Sequence, residues 1–187
     1  MKKSELRSLY KEKRRNMSYV VVAEKSERVQ NAFLESNFYK NAEQIMLYMP
    51  IENEVDTQGI IARAKRDGKR LVFPKTDAKT YEITPVLWDG KSDFKKETFS
   101  VSVPENTTLA DMKKTDIVIV PGVAFDKSGG RIGFGKGCYD RLLSGFSGTK
   151  VGFCYDLQLA EEIPGDCHDV KMDFLVSENG WIKCEER

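Results

Sequence analysis

Cysteine and histidine are scarce in this sequence, and it contains no long apolar run. Its four cysteines, Cys138, Cys154, Cys167 and Cys184, are scattered without a Cys-x-x-Cys pair, which fits neither a zinc site nor a disulfide framework. They read as free thiols. No stretch approaches the roughly 18 consecutive apolar residues of a membrane span. The opening residues, Met-Lys-Lys-Ser-Glu-Leu-Arg, lead into more charge instead of an apolar segment, so a secretory signal is excluded and a cytoplasmic protein without a membrane partner is expected. Neither glycine nor proline occurs before Pro50, and no internal repeat or low-complexity linker divides the chain. Residues 1–187 are therefore expected to fold as one domain that buries about two thirds of its unfolded surface.

The charge is unevenly placed. The chain as a whole carries +1, but residues 1–15 hold seven Lys/Arg against Glu5 and Glu12, a local +5 that leaves −4 for the rest. A basic segment of that kind suits nucleic acid, acidic lipid or a polyphosphate. Its residues have helical spacing, with Leu6, Leu9 or Tyr10, and Met17 on one stripe. Ser18 then reads as the N-cap of a second helix to about Leu34, with Val21, Val22, Val29, Ala32 and Phe33 on its buried side.

Further on, short apolar runs alternate with helical patterns. Ile45–Met49, Leu71–Phe73, Ile117–Val120, Lys150–Tyr155 and Phe174–Val176 read as strands, and Gln58–Arg66 reads as a helix between the first two. Tyr81–Leu87 alternates as a strand or hairpin arm, and Leu109–Lys114 reads as a short helical turn. The order implies an α/β fold: an open, mostly parallel sheet flanked by helices in a Rossmann-like three-layer arrangement. Such sheets bind ligands at the carboxyl ends of their strands, where the acids Glu52, Glu54 and Asp56 follow the first strand. Acids in a first helical turn also arise with no ligand.

What the chain has in abundance is glycine near its middle. Five of its glycines fall between Gly129 and Gly137, with Lys127, Arg131, Lys136 and Arg141 around them. Glycines at 133, 135 and 137 allow positive φ and bring backbone N–H groups near a ligand; with flanking cations they form an anion site. Gly130 to Lys136 fits the start of the P-loop pattern, but Gly137 stands where that motif has Ser or Thr, and the missing hydroxyl is the one that binds magnesium. The dinucleotide fingerprint fails as well, because the Gly133-x-Gly135-x-Gly137 spacing is wrong. Asp140, at the start of an expected helix to Leu143, and Asp169 or Asp173 in the tail that carries the only histidine, His168, offer hard oxygen ligands for such a cation. Ion pairs would account for the same carboxylates.

The stretch Pro121-Gly-Val-Ala-Phe-Asp-Lys-Ser-Gly-Gly-Arg-Ile-Gly-Phe-Gly-Lys-Gly-Cys-Tyr-Asp-Arg141 resembles the signature of the 5-formyltetrahydrofolate cyclo-ligase family. The resemblance extends to the basic first helix, Glu54-Val55-Asp56-Thr57 and Asp169-Val170-Lys171-Met172-Asp173. It implies an enzyme that uses ATP and Mg2+ to convert 5-formyltetrahydrofolate into 5,10-methenyltetrahydrofolate, releasing ADP and phosphate by way of a phosphorylated formyl group. It further implies that Lys3, Arg7 and the loop Arg131, Ile132, Gly133, Phe134, Gly135, Lys136, Gly137, Cys138 and Tyr139 contact ATP. Lys136 and Arg131 would be the catalytic cations, and Asp140 and Asp169 would hold the metal. Met49 and Glu54 would line the folate pocket, Glu54 accepting from the pterin N–H edge, with Phe134, Gly135, Lys136, Gly137 and Cys138 along the substrate.

Two departures from the family pattern stand out. Cys138 replaces a common aromatic, and near Val101, where some relatives place a tryptophan, this chain offers Phe99. Two other readings fit parts of the sequence: a small-molecule kinase using the same loop and metal, and a module whose basic helix binds nucleic acid. The resemblance favours a monomeric enzyme acting on small molecules, without nucleic acid.

Overall fold

The structure, a computed structural model, describes residues 1–185. The basic segment forms helix α1 (Lys3–Arg15), and Ser18 accepts from the Val21 N–H at 3.3 Å to start α2 (Tyr19–Leu34), satisfying a backbone donor that the first turn leaves open. Helix α2 buries Val29 and Phe33, while Val22 and Ala32 pack at the core's edge. Val21 does not join them: Tyr19, Val20 and Val21 are exposed, so α2 meets the core only from Val22 onward. A short helix absent from the sequence reading, α3 (Asn37–Asn41), is capped by Ser36.

The strands follow: β1 (Gln44–Met46), then α4 (Gln58–Arg66), β2 (Arg70–Thr76), β3 (Ile83–Trp88), β4 (Phe94–Lys96), β5 (Ser102–Pro104), β6 (Thr107–Leu109) and β7 (Ile117–Val120). The expected helical turn begins only at Met112, because Leu109 ends β6 opposite Val86. The second half holds β8 (Ala124–Asp126), β9 (Arg131–Ile132), α5 (Cys138–Leu143), β10 (Thr149–Phe153), β11 (Leu159–Ala160), β12 (Phe174–Ser177) and β13 (Gly180–Lys183).

Eight strands make the main sheet in the order β13-β12-β10-β7-β1-β2-β3-β6. The inner strands β12, β10, β7, β1 and β2 are parallel, and the outer pairings are antiparallel. Inner residues alternate between two cores. Ile45, Leu47, Ile117 and Ile119 face α2 and α4; Met46, Val118 and Val120 face Leu143 of α5. Hence the three layers expected of the pattern. Helix α1 lies apart from both, seating Leu6 and Tyr10 on Ala124, Ile132 and Ala160 of the small sheet β11-β8-β9 and on Val123 and Ile163 beside it. Leu9, an alternative to Tyr10 on the stripe, is exposed. None of the described helices is long and apolar enough to cross a membrane.

The connection from β1 leads to β2 on one side, whereas that from β7 leads to β10 on the other, although β1 and β7 are neighbours. Their following loops therefore diverge, and a crevice opens above the two carboxyl ends.

Candidate functional site

The glycine stretch closes one side of that crevice. The dozen residues separating β7 from the glycine loop form the β8–β9 hairpin that folds the loop back over the sheet. Asp126 fixes this hairpin although it is almost wholly buried. Its Oδ1 accepts from the Ser128 N–H, the Ser128 hydroxyl and the Gly130 N–H at 2.7–3.0 Å, and its Oδ2 accepts from the Ile163 N–H at 2.7 Å. Burial opposes its charge, but these donors outweigh it and hold the carboxyl below its ordinary value. Gly135 and Gly137 adopt φ +92° and +65°, the left-handed region that glycine enters without strain. Gly133 does not: its need is for space, since a Cβ there would sit 2.8 Å from Arg131 Nη1.

Cations surround the loop. Arg7 Nε of α1 donates to Gly133 O at 2.8 Å. Lys3 Nζ bridges Asp166 and Asp169 at 2.6 and 2.5 Å. Burial works against the Asp169 charge, but the Lys3 ammonium and the Asp166 N–H hold its carboxyl below the usual range. Arg131 Nη2 pairs with Asp140 Oδ2 at 3.0 Å, and the other Asp140 oxygen takes the Val170 N–H at 3.3 Å. Lys136 is exposed and pairs with no carboxylate among the described residues; its Nζ lies 4.4 Å above the Tyr81 ring. Tyr81 in turn stacks on Phe99, centroids 5.7 Å apart and planes at 11°, so the expected aromatic replacement near Val101 forms a wall here. Both rings sit on residues of positive φ, +58° and +57°. Cys138 is half-buried, and desolvation raises its thiol.

The opposite side is built by the loop after β1. Tyr48 donates to Val55 O at 2.8 Å and Thr57 donates to Tyr48 O at 2.8 Å, folding residues 49–54 into a tight turn. Glu52 and Asn53 take positive φ, and Asn53 Nδ2 ties the turn to the end of α1 through Arg14 O and Met17 O. Glu54 is 6% exposed. Its Oε2 accepts from the Ile51 N–H at 3.1 Å, whereas Oε1 has no hydrogen-bond partner among the described residues. Burial pushes this carboxyl up to about 7, with Arg14 and the Ile51 N–H pulling the other way.

Between these walls lies a cavity of about 680 Å³, a size that accommodates a small-molecule substrate. Each residue expected to contact ATP, folate or metal lines it: Lys3, Arg7, Met49, Glu54, the run from Arg131 to Asp140, and Asp169. The sequence reading missed Tyr48, Pro74, Tyr81 and Asp166, which also line it, and the Asp126 clamp beneath it. Asp166 had the one available signal, an acid three residues before Asp169. The carboxylates suit a hard cation such as magnesium. No cluster of three or more metal-ligating side chains occurs among the described residues.

Taken together, this is an α/β protein with an anion loop and a desolvated carboxylate facing each other across a switch-point crevice. The sequence profile of the 5-formyltetrahydrofolate cyclo-ligase family matches residues 1–178, and the chain belongs to that family. Its structure is similar to that of Aquifex aeolicus 5,10-methenyltetrahydrofolate synthetase, with a TM-score of 0.88 and 34% identity over 100% of this chain and 95% of the other. It also resembles a 5,10-methenyltetrahydrofolate synthetase from Mycoplasma pneumoniae, with a TM-score of 0.77 and 27% identity over 95% and 99%. A probable 5-formyltetrahydrofolate cyclo-ligase of Schizosaccharomyces pombe is 26% identical over 95% of each chain.

Proposed function

We propose that this chain uses ATP to cyclise 5-formyltetrahydrofolate to 5,10-methenyltetrahydrofolate. The observation that carries the reading is the pairing, in one cavity, of a cation-rich glycine loop with the buried carboxylate of Glu54. The loop suits a triphosphate. The Glu54 oxygen suits the N–H donors of a pterin.

In the reaction the formyl oxygen attacks the γ-phosphorus as the bond to the β,γ-bridging oxygen breaks, and ADP leaves. N10 then adds to the activated carbon and loses its proton, and phosphate departs with the former formyl oxygen. Charge on the transferred phosphoryl is the main demand. Lys136, whose ammonium rests on the Tyr81 ring and meets no carboxylate among the described residues, can swing onto it, and Arg131 is fixed beside it by Asp140. Arg7 and Lys3 hold the remaining phosphate charge from α1. Met49, the Tyr81–Phe99 stack and Phe134 line the cavity around the substrate rings, and Glu54 orients the pterin. Asp140 and Asp169 would hold a magnesium ion, which when bound supplies further neutralisation of phosphate charge. Arg131 and Lys3 occupy those carboxylates here and would share them with the ion. Action as a monomer in the cytoplasm completes the reading, and the four free thiols suit that compartment.

The test is the appearance of methenyltetrahydrofolate absorbance with ATP and magnesium present, and its loss when either is omitted. A stable phosphorylated product without that absorbance would instead assign a kinase.

A further inference from the structure

Helix α1 reaches both ends of the cavity. Lys3 and Arg7 near its start stand at the anion loop, and Arg14 near its end is buried behind Glu54. Arg14 is 1% exposed and is absent from the cavity wall. Its Nη1 donates to Gly122 O at 3.1 Å and lies 3.7 Å from Glu54 Oε1. Its Nε and Nη2, like Glu54 Oε1, have no hydrogen-bond partner among the described residues. A buried guanidinium with idle donors is costly, and packing alone does not explain placing it against a buried carboxylate that lines the cavity.

We infer that Arg14 is a positioning residue: it keeps the Glu54 carboxylate ionised and fixed at the cavity wall, so that the site selects a substrate edge rich in N–H donors. The inference rests on the placement of Glu54 in the folate pocket. Asn53, by clamping the same turn to Arg14 O and Met17 O, fixes the backbone while the guanidinium fixes the charge. The other groups that act on Glu54 are the Ile51 N–H, Glu52 and Lys11, together with the Tyr48 and Tyr139 hydroxyls. Glu52 opposes ionisation. Lys11 favours it from farther away, its ammonium resting 4.3 Å above the Phe134 ring. Arg14 is the largest favourable contribution among them.

The experiment measures equilibrium binding of 5-formyltetrahydrofolate without ATP, from pH 6 to 9, for the wild type, Arg14→Met, Arg14→Lys, Glu54→Gln and the double variant Arg14→Met/Glu54→Gln. Binding in the wild type weakens as pH falls through the Glu54 inflection. In Arg14→Met that inflection moves up by at least one unit, which lowers the ionised fraction about fivefold at neutral pH and nearly tenfold one unit lower. Arg14→Lys shifts it less, because it keeps the charge and loses the fork. It also carries the test if Arg14→Met fails to fold. In the Glu54→Gln background Arg14→Met costs nothing further in folate affinity. An unmoved inflection in the Arg14 variants, or an equal cost of Arg14→Met in both backgrounds, overturns the inference while leaving Glu54 in the pocket. Glu54→Gln binding as tightly as wild type would instead remove Glu54 from the pocket, and the inference with it.

Discussion

The two ends of the cavity are built on opposite principles. At the loop end, Lys136, Phe134 and Gly135 are exposed, and the cations are held by backbone carbonyls, a ring and shared carboxylates; of them Arg131 is drawn inward, its side chain 5% exposed. At the Glu54 end, both charges of the pair are more than nine tenths buried and three of their polar atoms have no partner. A wet, redundant array suits a ligand that brings its own dense charge and must depart after turnover as ADP and phosphate. A dry, unfinished pair gains most from a ligand that supplies the missing hydrogen bond, because a charge-assisted contact strengthens where water is excluded. On the proposed function, one end supplies rate and the other recognition.

Breaking the loop end is expected to give the largest effect. Lys136→Ala should lower kcat by roughly 10² to 10³-fold, the usual loss of one group aimed at developing charge, with a much smaller change in the KM for folate. A drop shared equally between kcat and folate affinity would dissolve the division of labour. Breaking the other end comes next. Glu54→Gln should weaken folate binding about 10- to 100-fold at pH 8, the worth of a hydrogen bond to a charged group. The sign with pH follows from the raised carboxyl: Glu54 is ionised above about 7 and protonated below it, so the gap between variant and wild type should close as pH falls from 8 to 6. A gap independent of pH would mean that the carboxylate charge plays no part in binding.

The same contrast governs what could be read without coordinates. The loop end was legible because its parts are contiguous: five glycines and the flanking cations lie within one stretch, and α5 begins at Cys138 as the pattern requires. The parallel strands were legible for a similar reason, since each is a short apolar run buried on both faces. The Glu54 end was not, because its electrostatics arise from pairs far apart in sequence, Arg14 with Glu54 and Gly122, and Asn53 with α1. The Asp126 clamp and the Lys3 bridge to Asp166 and Asp169 are equally non-local. Val21 was misplaced because helical spacing identifies a stripe but not how far along the helix the core extends. Helix α1 is a wall of the site seated by Leu6, Tyr10 and Arg14, contacts that its basic composition does not reveal.

The finest test of the comparison uses α1 itself, since one helix serves both ends. Arg7 Nε donates to Gly133 O, and its guanidinium crowds Gly135 so closely that a Cβ there would lie 3.2 Å from Arg7 Cζ. Arg7→Ala should therefore raise the KM for ATP by about tenfold, the lower end of what a hydrogen bond involving a charged group contributes, since the site is partly wet. The KM for folate should stay within about twofold, because the Arg14 end of the helix is anchored independently through Gly122 O and Asn53. Salt separates charge from shape: if Arg7 acts on phosphate through its charge, raising ionic strength should weaken ATP binding more in the wild type than in Arg7→Ala. An equal rise in both KM values would mean that the helix shifts as a body when its first turns are loosened. The two ends would then be mechanically coupled through α1, in spite of their different construction.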